Sequence, residues 1–584
     1  MMFVQQISAG PALWSSSGPD QEIQGDNIWK LVDRALRSDF ENKLIKCDGL
    51  SITNGELYAA IEALPWKPSY RLVGIMMSRC ISAVAATLAV WKNDAVYVPI
   101  AVEYPLVQML AITENCGLDL IISDRLLLLP CYREVGCQSG VDGVVMRFYE
   151  RIMPAGTVTR DIEHPGLCYI AHTSGSSGAP KGVRVTHSAL LNRIAAMRQF
   201  LDVGPEDRFL YKIPTLFDVH IWEFVLPIVC GCMLVIYRET TRFCLLAVSE
   251  LIIEERVSIV GFTPAMLCVL LKSQEFVEDN VLRVVICGGE AWAPQLASDV
   301  YARMPHVVLY NSYGPTETTM VVTNWRVPNR PGPQEISLGQ PHANTTLVVE
   351  EHARIMTSKG LQVTGELLVG GEQVALGYIG ATASNPFSER SIGGRTLRFY
   401  ATGDMVRLDV STGNLCFQGR KDNQIKINGV RIELDEVENA LRSIDVVNGC
   451  VAFVAESGGA GQLWAFFTTA DDREVSIDHI RAECARQLSR FKIPSVLRHV
   501  QTLPVRENGK IDRGVKNRFL VAQEPGLAYA EKIALKPLAD VADHLLKPIA
   551  ATGQDRFRPQ VLGHRPADFA SRRLDRGGAA SGVG

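Results

Sequence analysis

The chain has 584 residues, of which 47% are hydrophobic and 21% charged. That profile is a folded globular protein and excludes a disordered, collagen-like or small disulfide-stapled chain. Its 59 basic and 63 acidic residues leave a formal charge of −4, so no broad field draws it to nucleic acid or an anionic membrane, and any nucleotide must be held by a local site.

Short apolar runs alternate with helix-like segments through most of the first 420 residues. Strands are predicted over 71–77, 95–100 and 118–123, with helices over 81–91 and 105–116 between them. The helix over 188–201 carries Leu190, Ile194, Met197 and Leu201 on one face, with Ser188 as its expected cap. Strands follow over 208–213, 233–237, 257–262, 282–287 and 306–310, with helices over 264–272 and 294–303. This alternation predicts an α/β fold of largely parallel sheets flanked by helices. The pattern changes near Gly419, where a shorter, more charged α/β unit begins. Residues 519–584 are rich in Ala, Gly, Pro and Arg and read as a partly helical, mobile tail.

The fourteen cysteines are scattered, several within apolar runs. Cys230 and Cys232 lack the second pair or the histidines that a zinc site needs. Reduced, buried thiols are expected. The first fifteen residues lack a basic region followed by an apolar core, and no run of ~20 apolar residues occurs. A cytoplasmic protein is predicted.

The segment Thr173, Ser174, Gly175, Ser176, Ser177, Gly178, Ala179, Pro180, Lys181 and Gly182 follows an apolar run. Glycines let backbone amides approach an anion, hydroxyls donate, and a lysine adds charge: a phosphate cradle, though not a Walker loop. Further motifs follow: Asn311, Ser312, Tyr313, Gly314, Pro315, Thr316 and Glu317; Gly365 and Glu366 with Gly377 and Tyr378; Tyr400 to Asp404; Gly419 to Lys426; Gly429 to Glu433; and Asn508 to Arg513. Taken in order, they resemble the adenylate-forming enzymes, and within them the amino-acid adenylation domains of nonribosomal peptide synthesis. The resemblance covers roughly residues 30–515.

The resemblance implies a large core domain over 30–420 after an N-terminal extension (1–29), and a small mobile α+β domain over 421–518 hinged at Asp422. It implies two cosubstrates, ATP and an amino acid, with Mg²⁺ as cofactor. Thr173 to Gly178, Lys181, Gly289, Glu290, Ala291, Gly314, Phe417 and Arg420 would line the nucleotide site. Asn311 would read the adenine amine, Tyr313 stack on the ring, Asp404 hold the ribose, Thr316 bond the α-phosphate and Glu317 help hold Mg²⁺. Lys510 would bridge substrate carboxylate and α-phosphate, and Lys426 would face the site in a second conformation.

Asp218, in Phe217 to Glu223, falls where the resemblance implies a partner for an α-amino group. The pocket would be completed by Val219, Trp222, Gly261, Ile286, Gly288, Ser312, Met320, Val321 and Lys510. Apart from Asp218 and Lys510 none of these is charged, so a neutral side chain is expected: hydrophobic or aromatic with Gly261 and Gly288 leaving room beside Trp222, or serine- or threonine-like with Ser312 as partner. The tail has Leu562 and Gly563 but no serine where a carrier motif needs one. The expected enzyme is therefore a free-standing, monomeric ligase loading a separate phosphopantetheinyl carrier protein, with no nucleic acid or membrane partner. The alternatives are an acyl- or aryl-CoA ligase and an inactive scaffold that binds a carrier. Departures from the family pattern fall at Ser177, Asn93, Asp94, Ala101, His220, Ala401, Asn428 and Asp435.

Overall fold

Helix Ile81–Lys92 is buried along almost its whole length, because it lies between two sheets whose inner faces share one apolar core. That core takes Val73 and Ile75 from one sheet and Ile45, Phe209 and Ile259 from the other. The computed structural model describes residues 3–6, 12–23, 25–153, 164–175, 180–238, 243–329, 335–358, 360–380, 385–457, 460–469 and 475–503. The expected tail lies outside them.

The nine-stranded sheet runs Gln340–Pro341, Thr323–Arg326, Val308–Tyr313, Val284–Gly288, Ile259–Phe262, Arg208–Tyr211, Met233–Ile236, Lys43–Cys47, Leu50–Thr53. The run from Val308–Tyr313 to Lys43–Cys47 is parallel, and the edges are antiparallel. The eight-stranded sheet has the same design: Leu167–Thr173, Val96–Pro99, Leu72–Met76 and Leu120–Ser123 are parallel. Toward one end of this sheet, Lys181–Thr186 turns back antiparallel on Leu167–Thr173, and Gly377–Tyr378 forms the edge beyond it. Buried parallel strands need crossover helices, which is why the sequence alternates so regularly there.

The expectation of largely parallel sheets stops at the third sheet. Its seven strands, including Thr345–Thr357, Gly360–Gly371, Arg395–Asp409 and Asn414–Arg420, are all antiparallel. Neighbours such as Thr345–Thr357 and Gly360–Gly371, or Arg395–Asp409 and Asn414–Arg420, are joined by tight turns that hold no crossover helix. Residues 1–29, read as an extension, contribute to this sheet: Leu13–Ser17 pairs with Thr346 to Glu350, and Trp14 is buried.

Beyond Arg420 come a two-stranded hairpin, Gln424–Ile427 with Val430–Glu433, and a three-stranded sheet, Val447–Ser457, Ala460–Thr469 and Val496–His499. Helices Leu434–Arg442 and Ile477–Gln487 pack with them around Ile432, Val437, Leu441, Phe467 and Ile480. A buried ion pair, Lys492 Nζ to both oxygens of Glu436 at 2.8 and 2.9 Å, lies beside Gln108 of helix Leu106–Cys116. Gln108 also donates to the carbonyl of Gln487 at 3.2 Å, tying this smaller part to the larger.

Two departures from the family pattern have a backbone reason. Asp94 and Asn428 both adopt φ = 51°, in the left-handed region that Asp and Asn tolerate better than other side-chain-bearing residues. Asn428 and Gly429, both at positive φ, make the two-residue turn that joins the hairpin, and this turn geometry matches the natural twist of paired strands. The cysteines are free, and most are buried, though Cys137 and Cys268 are exposed.

Candidate functional site

The site lies at the carboxyl ends of the parallel strands, where open α/β sheets place ligands. Gly261 is in register with Ile286, Cys287 with Asn311 and Gly288 with Ser312. The pocket residues therefore come from three adjacent strand ends. Asp218 and Val219 sit just before helix His220–Cys230, which carries Trp222 and Glu223.

Asp218 is 7% exposed. Its Oδ2 accepts from the backbone N–H of Met320 at 3.1 Å, and the Thr316 side chain also hydrogen-bonds it. Burial pushes its carboxyl up to about 6, partly countered by these bonds. Thr319 and Met320 reach this position through positive φ values of 59° and 67°, uncommon strain for side-chain-bearing residues. Gly314 makes room for that turn: a Cβ there would lie 2.0 Å from the Met320 carbonyl oxygen.

Two pocket expectations change. Gly288 does not open space beside Trp222, because a Cβ there would lie 2.6 Å from the Ser312 carbonyl oxygen. Its glycine serves strand pairing. Gly261 does face the pocket, with its Cβ direction 3.8 Å from the Trp222 ring and 4.0 Å from Glu223 Oε1. Ser312 gives its hydroxyl proton to Asn324, so it offers a substrate hydroxyl only a lone pair. His220 is structural: it bonds Phe217 O at 2.6 Å and the Tyr97 hydroxyl at 3.0 Å, and burial pushes its pKa down to about 4.

The nucleotide residues gather on the antiparallel side. Tyr313 OH donates to Asp404 Oδ2 at 2.6 Å, and Arg420 Nη1 donates to Asp404 Oδ1 at 2.6 Å. Arg420 also grips Asp422, the expected hinge, with two bonds of 2.7 Å. Phe417 packs in the same cluster as Tyr313. Asn311 has internal partners for both ends of its amide, accepting from Trp292 Nε1 at 2.9 Å and donating to Ser337 O at 2.6 Å. One lone pair of its oxygen remains for an amine. Thr173 ends its strand with a buried hydroxyl that has no hydrogen-bond partner among the described residues, at the mouth of the glycine-rich loop. Ser176, Ser177, Gly178 and Lys510 lie outside the described residues.

Glu317 is wholly buried on a short turn with Thr316. Arg431 Nη1 lies 2.9 and 3.0 Å from its two oxygens, and Tyr378 OH donates to it at 2.7 Å. Burial pushes the Glu317 carboxyl up, but the Arg431 charge together with the hydrogen bonds from Tyr378, Arg431 and the backbone holds it below its usual range. Lys181 Nζ sits 5.5 Å over the Tyr378 ring.

Arg431 belongs to the Asn-Gly hairpin, which is inserted into this site. Ser174 Oγ donates to Arg431 O at 3.1 Å, and the Glu290 carboxylate accepts from the Asn428 and Gly429 amides. The Gly429 Cα lies 3.3 Å from the Cβ direction of Gly289. Lys426, in register with Arg431, is half-buried; burial lowers its pKa while Asp404 and Glu317 pull it up. Arg431 and Tyr378 lie within motifs of the resemblance, which assign neither of them a role. A signal was there: Val430 and Ile432 face the core, so period-two alternation puts Arg431 on the face shared with Lys426.

A family description, AMP-binding enzyme, matches residues 59–379, more than half of the chain. The chain belongs to the AMP-binding enzyme family. Among AMP-binding relatives, tyrocidine synthase 3 of Brevibacillus parabrevis is 32% identical over 454 residues, covering 76% of this chain and 7% of that much longer protein. The Vibrio cholerae adenylation domain AlmE, solved with glycyl-adenosine-5'-phosphate, aligns with a TM-score of 0.65 at 20% identity, covering 85% of this chain and 98% of that one. The o-succinylbenzoate CoA synthetase MenE of Bacillus subtilis aligns equally well, TM-score 0.65 at 18% identity, covering 83% of this chain and 97% of that one. The fold is thus common to an adenylation domain and a CoA synthetase. Among the described residues, no helix is long and apolar enough to cross a membrane, and no group of three metal-ligating side chains occurs.

Proposed function

We propose that the chain activates an amino acid with ATP and passes it to the thiol of a separate carrier protein. The observation that carries this reading is Asp218, a buried carboxylate held by the Thr316 side chain and the Met320 amide just before the helix that carries Trp222. A carboxylate so placed matches an α-ammonium, and an acid lacking that group would leave it without a partner. The likeness to tyrocidine synthase 3 supports the same reading. So does the AlmE structure.

In the first step the amino acid's carboxylate oxygen attacks the α-phosphorus of ATP. The bond to the β-phosphate oxygen breaks, and aminoacyl-AMP and pyrophosphate form. Lys181 and the loop from Thr173 hold phosphate oxygens, Asp404 the ribose, and Lys510 the carboxylate as it attacks. Glu317 suits Mg²⁺ as the single carboxylate of a site whose other ligands are phosphate and water oxygens. The ion, when bound, would neutralise charge on the phosphates. Positioning and charge stabilisation supply most of the rate. In the second step a thiolate attacks the acyl carbon and AMP leaves. The inserted hairpin, with Lys426 at the site, corresponds to this step. The division into a core over 30–420 and a mobile domain over 421–518 turning at Asp422 belongs to the same proposal.

The pocket suits a neutral side chain bounded by Trp222, Ile286, Met320 and Val321, all buried. Amino-acid-dependent ATP–pyrophosphate exchange across a substrate panel tests the reading, with a hydrophobic or aromatic amino acid expected to be preferred. Preference for aspartate, glutamate or lysine would overturn the neutral pocket. The MenE likeness favours a second reading, a CoA ligase, which gains if acids lacking an α-amine form CoA thioesters.

A further inference from the structure

Arg431 already supplies a positive charge to Glu317, the carboxylate that would also hold a metal ion. Arg431 and Tyr378 already occupy three of the roughly four acceptor positions of its carboxylate. A divalent ion brought against that carboxylate would also meet the guanidinium at contact distance. With the hairpin docked Glu317 has no solvent exposure, and a carboxylate buried in that state needs a counter-charge. The hairpin supplies one. Its docking is fixed by the Ser174 bond to the Arg431 carbonyl, by the Glu290 bonds to the Asn428 and Gly429 amides, and by the close approach of Gly429 to Gly289.

We propose that Arg431 is a positioning residue that takes the place of the divalent cation on Glu317, so that loss of metal pyrophosphate and docking of the hairpin are one coupled event. Because coupling is reciprocal, metal pyrophosphate must loosen the hairpin as strongly as the docked hairpin weakens the metal. The inference builds on Glu317 as the metal carboxylate. It goes beyond that reading by naming what replaces the ion and what the replacement moves.

Hydrogen exchange of the amides in 424–433, measured on the intact chain, tests it. Magnesium pyrophosphate should raise their exchange, and pyrophosphate with EDTA should not. In Arg431→Gln the hairpin should exchange fast without metal and respond no further. The same variant should need at least ~5-fold less Mg²⁺ for half-maximal pyrophosphate exchange, the lower end of ordinary site-to-site coupling. Unchanged protection of 424–433 in the wild type at saturating magnesium pyrophosphate overturns the proposal, and this holds even if the variant does not fold. A chain that shows the metal response but activates no amino acid refutes the amino-acid reading and leaves this one standing. A chain that activates amino acids with a metal-blind hairpin does the reverse.

Discussion

Tyr313 and Arg420 each hold one oxygen of Asp404, both at 2.6 Å. The acidic group expected to meet the ribose is thus set in place from two strands, and Arg420 continues to Asp422 at the start of the smaller part. The ribose contact and the hinge share one guanidinium.

Asp404→Asn should therefore weaken ATP more than it weakens the amino acid. Hydrogen bonds to a charged group contribute about 1.5–3 kcal/mol, so the ATP KM should rise roughly 10- to 150-fold. The amino-acid KM should stay near its wild-type value. Equal loss for both substrates in pyrophosphate exchange would remove Asp404 from the ribose role.

The acid limb of the pH profile should belong to Asp218. Its carboxyl is raised to about 6, and only the ionised form pairs with an ammonium. As pH falls through that value the neutral form grows, and kcat/KM for the amino acid should drop by roughly tenfold per pH unit below it. Glu223, pushed by burial to about 7, holds the Lys212 and Ile213 amides and is a second candidate for a limb. Asp218→Asn separates the two: it should give low activity with no limb near pH 6.

Gly261 and Gly288 should respond in opposite ways to alanine. Gly261→Ala places its methyl in ordinary contact with Trp222, so it should carry no overpacking cost in stability, while bulky amino acids lose ground to small ones. Gly288→Ala drives a methyl into the Ser312 carbonyl, and overpacking of that kind costs about 1–3 kcal/mol. Urea midpoints and a substrate panel distinguish them.

Asn428→Val should act on the second step. A β-branched residue in the left-handed region costs roughly 1–2 kcal/mol, which falls on the hairpin turn. Thioester formation should slow by about tenfold, and pyrophosphate exchange far less. Asn428→Gly, which keeps the turn, should stay close to wild type in both assays.

Most of the parallel strands were legible because they carry short apolar runs separated by helical segments, whereas Lys43–Cys47, with two lysines, escapes that pattern. The helix over 294–303 matched Pro294–Arg303 to the residue. The helix predicted over 188–201 starts at His187, with Thr186 rather than Ser188 as its cap, since the Thr186 hydroxyl accepts from the Ala189 amide. The hairpin Tyr132–Ser139 with Val145–Arg151 lies outside the strands predicted from the sequence: its first strand alternates too weakly, with Tyr132 its one buried residue. At the site, the motifs placed Asp404, Glu317 and Tyr313 together, but not what they touch. The grip of Arg431 on Glu317 joins positions 114 residues apart, and no local pattern carries that distance. The mistaken space at Gly288 has the same origin, because a glycine required by a neighbouring backbone looks in sequence like one that leaves a hole.

The strand Leu13–Ser17 has a consequence for how the chain is made. Its partner strand begins at Thr345, and the Ser17 hydroxyl meets that of Thr346 across 329 residues of sequence. At ordinary synthesis rates of about 5–20 residues per second, the first strand waits roughly 15–65 s on the ribosome before its partner exists. During that time Trp14 and an unpaired strand edge stand open to chaperones and to neighbouring nascent chains.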